Sequence, residues 1–250
     1  YGPTRLRVAL AHSRNLVSIR LLLELGVGPV RRFAKRFGFQ DEHLPRDLSL
    51  ALGSGSTTPL DLATSFAALA NGGSKVGSFF IDRIEDASGE VVFAQPYTAA
   101  CMDCVSPTTT TSDGASEEES VLELVEGQDP AQTTALELPS LPDDEENIVT
   151  DTALPLYTQA EQILEPRTAF IIRSMLQDVV KRGTARRALK LGRPDLAGKT
   201  GTTNDQIDAW FSGFNDDIVA SVWVGYDTLK TMGRRETGSS AALPIWVDLM

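Results

Sequence analysis

The chain has 250 residues, of which 42% are hydrophobic, and its formal net charge at pH 7 is −11. This length and composition suffice to bury a sizeable core, so we expect one large domain, or a domain with an insertion, rather than several domains. No apolar run approaches the length of a transmembrane helix, and the acidic balance gives no indication of nucleic-acid binding.

Acidic side chains are concentrated in the middle of the chain. Residues 94–166 contain 16 Asp and Glu and no Lys or Arg, whereas the rest has 23 basic and 18 acidic side chains. We therefore predict a mildly basic body, formed by residues 1–93 and 167–250, around an acidic insertion at 94–166. The insertion is rich in Thr, Ser, Pro, Asp and Glu. Such a composition buries too little apolar surface to offset the entropy lost on ordering, so we expect much of it to be mobile.

Two helices are predicted near the beginning of the chain. Thr4–Ala11 and Leu16–Leu25 are rich in Leu and Arg, and the polar triplet Ser13-Arg14-Asn15 lies between them. A junction between two helices can present polar side chains to a cleft. Gly26 and Gly28-Pro29 are expected to stop the second helix, and a further helical pattern covers Val30–Phe37.

A capped helix and a hairpin are predicted next, after a loop at Leu44–Ser56. Thr58 has the character of an N-cap and is followed by Pro59, which suits the first helical position. Two strands, Val76–Ile84 and Glu90–Phe93, are separated by Asp86-Ala87-Ser88-Gly89, a typical hairpin turn.

The last third of the chain combines helices with a sheet. Arg167–Lys181 has the spacing of an amphipathic helix, and Gly183 follows its end. Ala209–Phe214 and Ile218–Tyr226 are predicted to form a hairpin, and Pro244 is predicted to open a final helix.

The stretch before this hairpin predicts an active-site strand. Lys199-Thr200-Gly201-Thr202 combines a cation, two hydroxyl groups and a glycine at which another backbone can approach closely. Such a set suits a carboxylate ligand. K-T-G is also one of three elements, with S-x-x-K and an S-x-N type triplet, that define penicillin-binding proteins and serine β-lactamases. Ser13-Arg14-Asn15 has the S-x-N form.

Four longer stretches carry a resemblance to one family. They are T-R-L-R-V-A-L-A-H-S-R-N-L-V-S-I-R from Thr4, L-A-L-G-S-G-S-T-T-P-L-D-L-A after Ser49, Q-D-V-V-K-R-G-T-A-R-R-A-L from Gln177, and A-G-K-T-G-T-T-N-D with D-A-W-F-S-G-F after it. The sequence of these four stretches resembles that of class A penicillin-binding proteins of the proteobacterial 1A type. The resemblance implies an α/β (α+β) fold of the penicillin-binding transpeptidase or serine β-lactamase kind, with a mainly antiparallel sheet flanked by helices.

The resemblance also implies an activity and the residues that carry it. The family member would be a serine-type D,D-transpeptidase, which cross-links peptidoglycan stem peptides through an acyl-enzyme and is acylated by β-lactams. By motif position, Ser13 and Lys199 would pass a proton to the departing amine, and Asn15 would hold the substrate amide. The implied substrate-binding residues are Thr200, Gly201, Thr202 and Thr203. The Thr200 and Thr202 hydroxyls, together with Lys199, would bind the terminal carboxylate, and the Thr202 N–H would be one of two oxyanion donors. No metal or cofactor is implied.

The 250 residues lack the serine nucleophile that the resemblance implies. The family's catalytic serine belongs to an S-x-x-K motif that precedes S-x-N, and no serine in the 250 residues is followed three positions later by lysine. We therefore expect a fragment that is not active alone. The resemblance implies a parent protein with an N-terminal membrane anchor and a glycosyltransferase domain, at the periplasmic face of the bacterial inner membrane.

The partners implied by the resemblance are peptidoglycan stem peptides with lipid II-derived glycan, and β-lactam antibiotics. An outer-membrane lipoprotein activator is a further candidate partner, on which the sequence itself is silent. Two alternatives remain open. A non-catalytic penicillin-recognising sensor or scaffold would account for the missing nucleophile. A serine β-lactamase is disfavoured, because it needs a glutamate for deacylation and no E-x-x-L-N occurs between Asn15 and Lys199.

Cys101 and Cys104 are the only cysteines, and they lie in the acidic segment as C-M-D-C. Two cysteines cannot complete a zinc site, which leaves a local disulfide, a redox pair or two free thiols. The oxidising periplasm that the resemblance implies favours the disulfide.

Overall fold

The structure, a computed structural model, describes residues 2–100 and 157–250. These belong to one structural unit, which comprises residues 1–105 and 155–250. Cys101, Cys104 and most of the predicted acidic insertion lie outside the described residues. The disulfide, the mobility of the insertion and the domain boundaries at 94 and 166 therefore stay predictions.

The described residues form helices and short strands. The helices are α1 (Leu6–Ala11), α2 (Asn15–Leu25), α3 (Val27–Arg36), α4 (Pro59–Ala70), α5 (Pro166–Arg182) and α6 (Leu243–Leu249). The strands are β1 (Ser74–Lys75), β2 (Arg83–Glu85), β3 (Val91–Ala94), β4 (Tyr97–Ala99), β5 (Tyr157–Gln159), β6 (Glu161–Gln162), β7 (Ala197–Thr202), β8 (Asp208–Phe214) and β9 (Val219–Gly225). Shorter helical turns lie at Asp41–His43, Leu48–Leu52, Arg186–Leu191 and Asn204–Gln206, and a π-helix occupies Gly238–Ala242.

The strand that carries K-T-G lies at one edge of a three-stranded antiparallel sheet in the order β7-β8-β9. Lys199 pairs with Ser212, and Gly201 pairs with Trp210, which in turn pairs with Trp223 of β9. Further antiparallel pairs join β1 to β6 and β2 to β3, whereas β4 and β5 run parallel. The predicted mixed fold, with mainly antiparallel strands flanked by helices, is confirmed.

Two apolar clusters hold helices against this sheet. In β8, alternation places Ala209 and Phe211 on the same face, and both are fully buried. The Phe211 ring meets the Trp246 ring of α6 edge to face at 4.8 Å between centroids. The second cluster is built around Phe214, whose ring contacts Phe66 of α4 edge to face. Truncating a buried aromatic side chain costs about 3–5 kcal/mol, so these contacts fix the sheet against its helices.

Local signals explain several element boundaries. Thr58 caps α4 through a capping box: its Oγ1 accepts from the Asp61 N–H at 3.1 Å, and the Asp61 carboxylate accepts from the Thr58 N–H at 3.4 Å. The Asp86-Gly89 turn joins β2 to β3, as predicted. The predicted junction between two helices is also present, since α1 ends at Ala11 and α2 begins at Asn15.

Two predicted boundaries were wrong. Gly26 does end α2, as predicted, but Gly28-Pro29 is not a stop signal; it lies in the first turn of α3, where the missing N–H of proline has no intrahelical partner to lose. Strand β2 covers Arg83–Glu85, so only the last two residues of the predicted strand Val76–Ile84 are in a strand, and the Gly77 N–H instead donates to Thr98 Oγ1 at 3.1 Å. Pro244 lies at the start of the final helix α6, as predicted, and a π-helix that the sequence did not indicate precedes it.

Across residues 2–100 and 157–250, every helix is too short or too polar to cross a bilayer. The longest, α5, has 17 residues and ends in Lys181 and Arg182.

Candidate active site

The S-x-N triplet and the K-T-G strand meet in the structure. Lys199 Nζ donates a hydrogen bond to Ser13 Oγ at 2.7 Å, although the two residues are 186 positions apart in sequence. The same ammonium donates to the Thr200 carbonyl oxygen at 2.8 Å. A serine hydroxyl and a lysine ammonium in direct contact can relay a proton from the nitrogen to the oxygen.

Ser13 is presented by a turn between α1 and α2. Its φ is +52°, in the left-handed region that side-chain-bearing residues seldom adopt. The turn is held by backbone bonds, because the Ser13 N–H donates to the Leu10 carbonyl at 3.1 Å and the Arg14 N–H donates to the Ala9 carbonyl at 2.9 Å. Such strain is typical of functional sites, and here it leaves the Ser13 side chain exposed.

Asn15 follows two positions later as the first residue of α2, and its side chain is exposed at the same junction. Ser13 and Asn15 therefore lie on one turn of chain. The turn keeps both polar groups accessible to a ligand.

The Lys199 side chain is partly buried, and burial lowers its pKa to about 8. Loss of hydration disfavours the charged ammonium, which moves the group towards neutral pH. A lysine with this pKa is still largely protonated at pH 7 and can release its proton to a nearby acceptor.

Another backbone approaches the K-T-G strand closely at Gly201, and the missing side chain of Gly238 leaves the space for it. The π-helix begins at Gly238, and a Cβ added there would overlap the Trp210 carbonyl and lie 2.5 Å from the Gly201 carbonyl oxygen. A Cβ added at Gly201 would lie 3.1 Å from the Trp210 Cβ. The sequence predicted a close approach at Gly201, and the structure identifies the π-helix as its partner.

The three threonines of the strand have different partners. Thr200 Oγ1 lies 2.6 Å from Thr184 Oγ1, and Thr202 Oγ1 accepts from the Gly238 N–H at 3.0 Å. Thr203 Oγ1 instead accepts from the Ile207 N–H at 3.1 Å and the Asp208 N–H at 2.8 Å, inside the loop that leads to β8. The Thr203 hydroxyl therefore stabilises the loop and is not grouped with the Lys199 ammonium.

Helix α5 holds α1, the helix that leads into the Ser13 turn, through a cluster of charged side chains. Arg7 of α1 donates to Asp178 Oδ2 at 2.8 Å and to Ser174 Oγ at 2.9 Å, while Arg182 donates to the same Asp178 oxygen at 2.5 Å. Burial alone would raise the pKa of the Asp178 carboxyl, but the two arginines outweigh this effect and hold it below its usual value. The ionised pair ties α1 to α5.

Thr184 is absent from the predicted site residues, yet it touches both parts of the site. Its N–H donates to the Ala11 carbonyl oxygen at 3.2 Å, and its hydroxyl contacts Thr200. The sequence signal that marks it is its place directly after the helix-ending Gly183, within one of the four family-like stretches.

Comparison with known sequences gives relatives that match the entire chain. It is 45% identical to penicillin-binding protein 1A of Pseudomonas aeruginosa, with 100% of the chain and 29% of that protein aligned. It is 40% identical to penicillin-binding protein 1A of Neisseria lactamica, with 100% of the chain and 24% of that protein aligned. The chain thus spans less than a third of the length of these relatives. No protein-family model matches it.

Solved structures share the fold. Penicillin-binding protein 1A from Haemophilus influenzae matches with a TM-score of 0.75 and 29% identity, over 99% of this chain and 34% of that one. The D,D-transpeptidase domain of a peptidoglycan glycosyltransferase from Eggerthella lenta matches with a TM-score of 0.60 and 20% identity, over 100% of this chain and 54% of that one, which shows the fold alone. The sequence matches over the whole chain, together with the Haemophilus influenzae structure, show that the chain belongs to the class A penicillin-binding proteins of the 1A type.

Proposed function

We propose that this chain supplies half of a D,D-transpeptidase active site, the half that binds the donor carboxylate and returns a proton to the leaving amine. The observation that carries the proposal is the 2.7 Å hydrogen bond from Lys199 Nζ to Ser13 Oγ. Two motifs that were recognised separately in the sequence converge there on one proton path.

The nucleophile in this proposal is a serine of an S-x-x-K motif outside the 250 residues. It attacks the carbonyl carbon between two terminal D-alanines while its hydroxyl proton passes to the lysine of the same motif, and the carbon–nitrogen bond then breaks to give an acyl-enzyme and free D-alanine. An amine from a neighbouring stem peptide then resolves the acyl-enzyme. Dividing one difficult exchange into two acyl transfers is the general advantage of nucleophilic catalysis.

Ser13 and Lys199 act on the leaving group. As the carbon–nitrogen bond breaks, the Ser13 hydroxyl gives its proton to the departing nitrogen and takes one from Lys199 Nζ. The amine leaves neutral and Lys199 becomes neutral. Because burial lowers the pKa of Lys199 to about 8, this loss costs less than it would for an exposed lysine. Asn15, on the same turn, is placed to hold the substrate amide.

The K-T-G strand binds the terminal carboxylate in this proposal. Thr202 Oγ1 already accepts a hydrogen bond from Gly238, so its own proton is free to be donated to a ligand oxygen. Thr200 contributes a second hydroxyl, and Lys199 raises the local positive potential. The Thr202 N–H serves as one oxyanion donor, and the second belongs to the nucleophilic serine.

The complete protein, in the same proposal, carries a membrane anchor and a glycosyltransferase domain and acts at the periplasmic face of the inner membrane. Its ligands are peptidoglycan stem peptides with lipid II-derived glycan, and β-lactams that mimic the donor. An outer-membrane lipoprotein activator is its candidate protein partner. The membership of the chain among penicillin-binding proteins supports these assignments.

The test is a double-mutant cycle in the full-length protein, with the second-order rate constant of acylation by benzylpenicillin as the readout. Ser13→Ala and Lys199→Met should each slow acylation about a hundredfold, because each interrupts the same proton path. The double variant should be no slower than the single variants, since residues that act as a unit are not additive. Ser18→Ala, an exposed serine one turn further along α2, is the control and should be unchanged.

Two results would contradict the proposal. Strictly multiplicative losses in the double variant would mean that Ser13 and Lys199 act separately. Acylation at the wild-type rate in either single variant would mean that the contact is not used.

A further inference from the structure

Thr184 lies where the two halves of the site join. Its backbone N–H donates to the carbonyl oxygen of Ala11, two residues before Ser13, at 3.2 Å. Its hydroxyl lies 2.6 Å from the hydroxyl of Thr200 in the K-T-G strand. One residue therefore contacts both the end of α1 and the strand that carries Lys199.

The position of Thr184 is fixed by its neighbours. A Cβ added at Gly183 would overlap the Ala11 carbonyl oxygen and lie 2.8 Å from Val179 Cα, so the end of α1 packs directly on the end of α5. The ion pair of Arg7 with Asp178 ties the two helices one turn further away. Thr184 is thus held by rigid elements, and its hydroxyl has little freedom to leave Thr200.

The paired hydroxyls have two proton arrangements. Each hydroxyl has one proton and two acceptor sites, so either threonine can donate to the other. When Thr200 donates to Thr184, its proton is no longer available to a ligand. When Thr184 donates to Thr200, the Thr200 proton is free. A bound carboxylate can only accept, and it therefore selects the second arrangement.

We propose that Thr184 is a positioning residue for carboxylate recognition. It donates its hydroxyl proton to Thr200 Oγ1, which leaves the Thr200 proton directed to the carboxylate of the donor substrate or β-lactam. Its backbone bond to Ala11 keeps this pair in register with Ser13. The inference rests on the proposed transpeptidase function and adds a residue to it.

The test compares Thr184→Val with Thr184→Ser in the full-length protein. Valine keeps the shape and the backbone N–H but removes the hydroxyl, whereas serine keeps the hydroxyl. The probes are benzylpenicillin and its methyl ester, which lacks the free carboxylate, and the readout is the second-order rate constant of acylation. Thr184→Val should react about tenfold more slowly with benzylpenicillin and within twofold of wild type with the ester, as expected when one positioning hydrogen bond is lost. Thr184→Ser should match wild type with both.

A matched control is Thr64→Val, because the Thr64 hydroxyl donates only within its own helix, to the Leu60 carbonyl at 2.9 Å. It should leave both rate constants unchanged. A valine variant that reacts normally with benzylpenicillin, or that is slowed equally with acid and ester, overturns the inference. So does a folded Thr184→Ser variant that reacts about tenfold more slowly than wild type with benzylpenicillin, and this outcome can be measured even if Thr184→Val does not fold. Failure of wild type itself to be acylated would overturn the transpeptidase proposal instead.

Discussion

Ser13 and Lys199 are presented by different means, and the difference explains how each acts. Ser13 is held out by a backbone turn at positive φ, so its hydroxyl is exposed and its direction is set by the main chain. Lys199 lies on strand β7, and its partly buried side chain donates to Ser13. The rigid serine receives the proton, and the desolvated lysine can give it up.

A pH dependence follows from the pKa of Lys199. Burial lowers this pKa from 10.5 to about 8. Lys199 is therefore almost entirely in the ammonium form below about pH 7 and loses its proton as pH rises through 8. Because the proposed role needs the protonated form, acylation by benzylpenicillin should fall along an alkaline limb centred near pH 8. Lys199→Arg should be slower throughout but should lose this limb, since a guanidinium keeps its proton.

The measurement is the second-order rate constant of acylation from pH 6 to pH 10 for both proteins. Each should be checked for folding across the range. An identical alkaline limb in wild type and Lys199→Arg would mean that another group titrates there.

At the scale of elements, the site depends on how closely α1 approaches the end of α5. Gly183 has no room for a side chain, and the Arg7–Asp178–Arg182 cluster holds the same two helices together. This packing determines where the turn after α1 places Ser13 relative to β7. Helix α5 thus acts as the scaffold between two motifs that are far apart in sequence.

Gly183→Ala should therefore damage both stability and activity. The added methyl group must displace the Ala11 carbonyl, and overpacking of this kind costs about 1–3 kcal/mol of unfolding free energy. Denaturant unfolding should show that loss, and penicillin acylation at a temperature where the variant is folded should fall at least tenfold. Gly77→Ala is the matched control, because a Cβ at Gly77 meets nothing within 4 Å and its φ is not positive. If the two variants proved equally stable and equally reactive, the close approach at Gly183 would have no role in the site.

For the whole molecule, sequence patterns predicted what depends on local chemistry. The Thr58 cap, the Asp86-Gly89 turn and the junction at Ser13 are each set by a few neighbouring residues, and each is present. The Thr184–Thr200 contact and the approach of Gly238 to Gly201 depend on tertiary packing between distant elements. No local pattern encodes such contacts. The partner of Thr203 is equally hard to predict from sequence, because the conformation of its loop brings the Asp208 N–H to the Thr203 hydroxyl.

If residues 1–250 form one part of a transpeptidase, the nucleophile lies elsewhere in the protein. An intact-mass spectrum of the full-length protein after incubation with benzylpenicillin, followed by peptide mapping of the adduct, tests this directly. We expect one penicillin per chain, persistent for many minutes, on a serine of an S-x-x-K motif outside these 250 residues. Absence of an adduct would favour a non-catalytic sensor or scaffold, rapid release would indicate a β-lactamase, and an adduct within residues 1–250 would contradict the assignment of Ser13 as a proton carrier.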